Sequence, residues 1–249
     1  MFDLSGKVAL VTGASGSLGR AIALALAGAG ADIACHYHTR QEEAERVASE
    51  VRTIGRRCVV LMADLCDAQQ AEKLVEQTVE QLGNLHILVN NAGVNREALL
   101  IRQTSELIDE VFGNNLASML HVAAAAARKM AKNHWGRMIH IGSVVAHTGS
   151  TAQAAYAASK AGVEGMSRAI AREMGGRNIT SNVLAPGLIE GGMSEHMSDD
   201  RRQQLMAFIA LGRTGTPEEV GSAAVFLASE EASYITGIVL HVNGGLFMQ

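Results

Sequence analysis

Short apolar runs alternate with longer amphipathic stretches along the whole chain. The runs Lys7–Thr12, Asp32–Tyr37, Cys58–Met62, Leu85–Asn90, Arg137–Ile141, Thr180–Leu184 and Ile238–Val242 read as strands. Most are apolar at consecutive rather than alternate positions, the pattern of strands covered on both faces. Helical periodicity fills the intervals: Ala44, Val47, Ala48 and Val51 form one apolar stripe. Thr39 with Glu42 suits a capping box at that helix's start. Thr216, Pro217, Glu218 and Glu219 read as an N-cap, a proline at the first helical position and an acidic first turn. Strand–helix alternation from end to end predicts an α/β fold, one doubly wound, seven-stranded parallel sheet with helices on both faces. We expect a single domain over residues 1–249, a cofactor half over about 1–135 and a catalytic and substrate half over about 136–249. The least regular stretch, Gly187–Gly212, is rich in Gly and Met and suits a mobile lid.

Composition narrows the function classes. Of 249 residues, 48% are hydrophobic and 18% charged, the balance of a globular protein with a sizeable core. A net charge of −4 gives no basic footprint for nucleic acid. Arg56-Arg57 and Arg201-Arg202 read as solvated faces. Cys35, Cys58 and Cys66 lack metal-ligand spacing and read as reduced, mostly buried thiols of a cytoplasmic protein, so no metal is expected. The N-terminus carries no basic segment followed by an apolar core, and no apolar run reaches membrane-spanning length.

The chemistry concentrates in two places. Tyr156 and Lys160 are four residues apart, hence on one face of a helix, with Ser143 upstream. A lysine near a tyrosine favours phenolate, and a tyrosine tuned that way exchanges protons with an alcohol or ketone oxygen near neutral pH. At the other end, Thr12-Gly13-Ala14-Ser15-Gly16-Ser17-Leu18-Gly19 follows the first strand and opens a helix, a Rossmann-type arrangement that admits a pyrophosphate at the helix N-terminus. The end of the second strand carries no acid for the ribose hydroxyl of NAD. It carries Arg40 with His38 beside it, which points to the 2′-phosphate of NADP(H), with NAD(H) second. Arg40 also fits a solvated first-turn residue. His36 and His38 could be imagined as a metal pair, but no further ligand follows and a strand-edge surface suits them better. Asp64 after the third strand suits the adenine side of a nucleotide. Asn90-Asn91-Ala92-Gly93 after the fourth puts small residues and amides where backbone passes close to it; both also suit simple turn chemistry.

Taken together, Thr12–Gly19, Asn90–Gly93, Asn115, Ser143, Tyr156, Lys160 and Pro186-Gly187 make the whole chain similar to the short-chain dehydrogenases/reductases. Ile141–Val145, Gln153–Gly162 and His241–Gly245 resemble, more closely, bacterial 3-oxoacyl-[acyl-carrier-protein] reductases. The resemblance implies NADPH-dependent reduction of a 3-oxoacyl thioester of acyl carrier protein or coenzyme A. It casts Tyr156 as proton donor, Ser143 as the group orienting the substrate oxygen, Lys160 as lowering the Tyr156 pKa and holding the ribose, and Asn115 as anchor of a proton-relaying water. Gly13, Ser15, Gly16, Ser17, Leu18, Gly19, His38, Arg40, Asp64, Leu65, Asn91, Ala92, Gly93, Pro186, Gly187 and Ile189 join Tyr156 and Lys160 as cofactor contacts. Ser143, Val145, Gln153 and Tyr156 are the substrate contacts. An NAD(P)-linked enzyme of another ketone or secondary alcohol is the alternative, and a non-catalytic dinucleotide sensor the remote one. The resemblance further implies a homotetramer paired through helices near Glu106–Asn133 and Ala154–Gly175, with the small residues of Ala123–Ala127 and Ala154–Ala158 permitting close approach. Four positions depart from the family pattern. Ser17 replaces a glycine, Gly16 stands where many NADP-using relatives carry a cation, Gly191 replaces a threonine, and His134 replaces a cation of the carrier-protein patch.

Overall fold

A computed structural model describes residues 2–191 and 199–248 of the chain. The strands are β1 (Val8–Val11), β2 (Asp32–Tyr37), β3 (Cys58–Met62), β4 (Ile87–Asn90), β5 (Gly136–Ile141), β6 (Ile179–Pro186) and β7 (Val239–Val242). They form one sheet in the order β3-β2-β1-β4-β5-β6-β7, every neighbouring pair parallel. The expected sheet is therefore present, with β2 and β3 at the limits the sequence suggests.

Alternate strand residues feed opposite layers. Ala9, Val11, Ile33 and Cys35 pack under helices α1 (Ser17–Gly28), α2 (Gln41–Thr53) and α9 (Pro217–Ala228). Val8, Leu10 and Ala34 pack under α3 (Ala68–Leu82) and α5 (Ser118–Asn133). The remaining helices are α4 (Ser105–Phe112), the short α6 (Val145–Thr148), α7 (Ala154–Met174) and α8 (Asp199–Met206). The sheet order reverses direction between β1 and β4, so the connections leave those strands for opposite faces and open a crevice at their C-terminal ends.

Several local expectations are corrected. The helix expected across Glu106–Asn133 is α4 and α5 joined by a wide π turn, Gly113–Ala117. Thr39 is not the cap of α2: Arg40 holds the N-cap position and makes no side-chain cap bond. Thr216 and Glu219 do close a capping box on α9, with Pro217 in its first turn. Arg56 and Arg57 are not idle surface charges, since both clamp the buried Asp32 at 2.9 and 2.8 Å. Ala123, Ala125 and Ala126 are buried in the chain's own core against α3 and the sheet, which leaves Ala124 exposed and Ala127 half-buried on that stripe. His36 is 2% exposed on an inner strand, not at a strand-edge surface. The cysteines are free, Cys35 and Cys58 buried and Cys66 exposed. The stretch Gly187–Gly212 contains α8; its residues 192–198, among them Met193 and Met197, lie outside the described residues. Among the described residues, no helix is long and apolar enough to cross a membrane, and no group of His, Cys, Asp and Glu could hold a metal ion.

Candidate active site

A cleft of about 1020 Å³ runs along the C-terminal edge of the sheet. Every residue expected to touch cofactor or substrate lines it. Asn115 does not, and lies fully buried behind the wall.

At one end the β1–α1 turn is locked to the end of β4. The Thr12 hydroxyl accepts the amides of Asn91 and Ala92 at 2.9 and 3.0 Å. In return the Asn91 side-chain amide donates to the carbonyls of Thr12 and Gly13 at 2.9 and 3.2 Å. Only glycine fits at position 19, because a Cβ there would overlap the Gly13 carbonyl oxygen and press on Asn91 and Ala14. Gly16 is the N-cap of α1 and offers no side-chain cap, and the first turn carries no acid. The turn thus presents backbone amides and the positive end of a helix dipole to the cleft, which suits a pyrophosphate. Ser17, in the place of a glycine, is exposed at the start of α1. Arg40 reaches over the same turn: its guanidinium lies 3.5 Å from where a Cβ on Gly16 would be. Asp64 is partly buried beyond β3, with its carboxylate accepting the Cys66 amide at 2.9 Å.

Further along the cleft lie Ser143 after β5 and Tyr156 and Lys160 on α7, all three buried. The Lys160 ammonium donates to the Ile141 carbonyl at 2.8 Å and lies 5.8 Å from the centre of the Tyr156 ring. Burial brings its pKa down to about 8. The phenol does not follow the expected direction. Burial pushes the Tyr156 pKa up, and only the Ser143 hydroxyl beside it pulls the other way. A buried phenolate lacks water to solvate its charge, and Lys160 is drawn off toward a carbonyl.

Asn115 sits in the wide turn between α4 and α5, an irregularity that recurs at functional sites. Its Oδ1 accepts the Val94 amide at 2.7 Å, and its Nδ2 donates to the Val94 carbonyl at 2.9 Å and to Ser159 Oγ at 3.3 Å. Both side-chain atoms are therefore spent on fixing the segment after β4 against α7. Gly93 leaves the gap between them: a Cβ there would lie 2.8 Å from Asn115 Oδ1 and 3.7 Å from Lys160 Nζ.

The mouth is apolar on one side, with Val145, Ile189, Leu205, Phe208 and Leu246. On the other, Glu97 accepts from Gln153 Nε2 at 3.1 Å and from Arg201 NH1 at 3.1 Å. Arg201 also donates to Ser150 Oγ at 2.9 Å. Arg201 is thus a bridge from α8 across the mouth rather than a solvated face. Sequence reasoning missed Glu97, Arg201 and Leu246, which carry no motif and meet only in the fold. Gly191, in the place of a threonine, has φ of 77°, a conformation that costs any L side chain. The glycine turn and the buried tyrosine–lysine pair, lining one cleft, fit a nicotinamide dinucleotide.

Residues 13–247 match the family described as enoyl-(acyl carrier protein) reductase. Over 246 residues, 99% of each chain, this chain is 43% identical to the 3-oxoacyl-[acyl-carrier-protein] reductase FabG of Escherichia coli K12. It is 40% identical over 242 residues to the protein of that name from Staphylococcus aureus N315, covering 97% of this chain and 98% of the relative. A solved structure from Sinorhizobium meliloti 1021, assigned as a short-chain alcohol dehydrogenase, superimposes with a TM-score of 0.95 at 36% identity over 98% of both chains. One from Agrobacterium tumefaciens, assigned as a gluconate dehydrogenase, gives 0.94 at 30% identity, over 100% of this chain and 99% of that one. A likeness running nearly the full length of both partners, around a tyrosine–lysine pair set beside a glycine-turn sheet, makes this chain a member of the short-chain dehydrogenase/reductase family, and so a nicotinamide-dinucleotide oxidoreductase of C–OH and C=O groups.

Proposed function

We propose that the chain reduces the keto group of a 3-oxoacyl thioester to the 3-hydroxyacyl product with NADPH. The observation that carries this reading is the Tyr156 phenol. It is buried beside Ser143 in a cleft with an apolar mouth, and burial holds it protonated at neutral pH. A proton donor, not a base, is what ketone reduction requires. NADPH, when bound, supplies the hydride. Tyr156 gives its proton to the developing alkoxide, and Ser143 hydrogen-bonds the same oxygen, stabilising charge that forms only in the transition state. Lys160, its pKa brought down to about 8 by burial, is mostly cationic at neutral pH and serves as the proton source from which the Tyr156 phenolate is re-protonated. A water relay to Lys160 falls to the Asn115 main chain, because the side chain is already engaged.

Arg40 supports NADPH over NADH. Gly16 brings no cation, but the Arg40 guanidinium occupies the space beside it where a longer residue at 16 would lie. Val145, Ile189, Leu205 and Phe208 suit an acyl chain, and Gln153 meets its polar end. As carrier we read acyl carrier protein, the group named for the relatives, with coenzyme A thioesters also accepted. The basic patch that would steer an acidic carrier is thinned. Arg128 pairs with Glu72, Lys129 with Glu76, and Arg177 donates to His134. Steering by charge should then add little to the on-rate. A homotetramer is in keeping with the apolar residues Leu100 and Ile101, 75% and 90% exposed ahead of α4. Light scattering at assay concentration tests it, and a monomer would rule it out.

The deciding assay follows loss of nicotinamide absorbance with acetoacetyl-coenzyme A, with NADPH and NADH in parallel and crotonyl-coenzyme A as a second substrate. Fast NADPH oxidation with the keto thioester alone supports the proposal. Turnover of crotonyl-coenzyme A alone would transfer the reading to the enoyl reduction that the family description names. No turnover of either would point to another ketone or secondary alcohol.

A further inference from the structure

His36 stands outside every role described above, yet it touches the nucleotide turn twice. Its imidazole Nδ1 is 3.1 Å from the Gly13 amide nitrogen, and its main-chain carbonyl accepts the next amide, that of Ala14, at 2.9 Å. Its other ring nitrogen, Nε2, lies 3.1 Å from the Ala63 carbonyl oxygen. That oxygen can only accept, so Nε2 carries the proton. In the neutral ring Nδ1 is then a lone pair, and Gly13 donates to it. Gly13 has φ of 64°, a left-handed turn that its neighbours must hold in place.

We propose that His36 is a positioning residue for dinucleotide binding: its neutral Nδ1 accepts the Gly13 N–H and fixes the β1–α1 turn in the shape that receives the pyrophosphate. The arrangement tolerates one tautomer only. A proton on Nδ1 would set two N–H groups against each other at 3.1 Å. The surroundings guard against this. Burial holds the imidazole pKa down at about 4, His38 adds to that, and Asp64 and the Ala63 carbonyl oppose it. Arg40 stands over the same turn, and β1, all apolar, brings no charge.

The test compares His36→Asn with His36→Leu. An asparagine amide reaches the Nδ1 position and can accept the Gly13 amide without titrating; leucine cannot accept. Dissociation constants for NADPH and NADH are read by nicotinamide fluorescence, and exchange of the Gly13 amide by NMR. We expect His36→Leu to weaken both dinucleotides about tenfold, the worth of one buried hydrogen bond at about 1.4 kcal/mol per decade, and to speed Gly13 exchange. His36→Asn should stay within about threefold of wild type on both readouts. If His36→Leu does not fold, His36→Gln carries the comparison, since its amide reaches the Nε2 position and leaves Nδ1 unfilled. Wild-type affinity in the Leu or Gln variant, or equal loss in the Asn variant, would overturn the proposal. Loss of NADPH binding with NADH untouched would implicate the Arg40 site instead, and would equally count against it.

Discussion

The proposed preference for NADPH rests on one exposed side chain, so removing it gives a sharp prediction. Arg40→Ala takes away the cation that lies 3.5 Å from the start of any side chain at Gly16. A charge-assisted hydrogen bond contributes roughly 1.5–3 kcal/mol, and solvent exposure at Arg40 trims this to about 1–2 kcal/mol. At about 1.4 kcal/mol per decade, NADPH binding should weaken roughly 5- to 30-fold. NADH has no 2′-phosphate and should be unaffected. The assay is fluorescence titration of both dinucleotides at two ionic strengths, and the NADPH deficit should shrink as salt rises. A second substitution completes the argument. Gly16 has φ of −86° and ψ of 160°, open to any residue, and a Cβ there meets only ordinary contacts. Gly16→Arg in the Arg40→Ala background should therefore recover most of the NADPH affinity. Equal weakening of NADH and NADPH would refute the reasoning, because it would show that Arg40 supports the turn and does not read the phosphate.

Three further outcomes are expected. Tyr156→Phe keeps the ring and removes the donor; turnover should fall by about 10³-fold or more while NADPH affinity stays within about twofold by fluorescence. Arg201→Ala opens the contacts to Glu97 and Ser150, so the KM for acetoacetyl-coenzyme A should rise several-fold in steady-state kinetics with NADPH affinity unchanged. His140, between Asn90 and Ser181, has its pKa lowered from 6.5 to about 3 by burial, with Lys160 adding to the effect. Its folded pKa lies below the unfolded one, so its contribution to stability is full above pH 6.5 and is lost as pH falls toward 3. Urea titrations should show a loss of about 2 kcal/mol from this group between pH 6.5 and 5, absent in His140→Gln; identical pH slopes for the two proteins would sink the assignment.

The strands were legible because a strand covered on both faces is apolar at consecutive positions, as β1 is, and the limits of β2 and β3 were legible to the residue. The catalytic and glycine motifs were legible because their spacing is itself the geometry. What the sequence hid depends on distant segments meeting. The direction of the Tyr156 shift is set by burial among neighbours from several elements, which Y-x-x-x-K spacing cannot encode. Glu97 and Ser150 sit on two separate connections and Arg201 on α8, and the three converge only over the cleft. The tasks of Arg56 and Arg57 depend on Asp32, more than twenty residues upstream in a neighbouring strand. The buried positions Val111, Asn115, Ser118, Met119 and Val122 keep helical spacing across the wide turn at Gly113–Ala117, so periodicity reads straight through it.

That turn has a genetic meaning. A π turn is an α-helix carrying one surplus residue, and such a surplus can be removed by losing a single codon. Ordinary helical bonding would then resume from α4 into α5, with one segment rotated about 100° and shifted about 1.5 Å against the other. Asn115 would swing away from Val94 and Ser159, while most of the sheet and the glycine turn would persist. A one-codon deletion between 113 and 117 should therefore yield a protein that still folds and takes up dinucleotide but turns nothing over. Among related chains, length variation at this point is where a reductase and a mere binder could be a single mutational event apart.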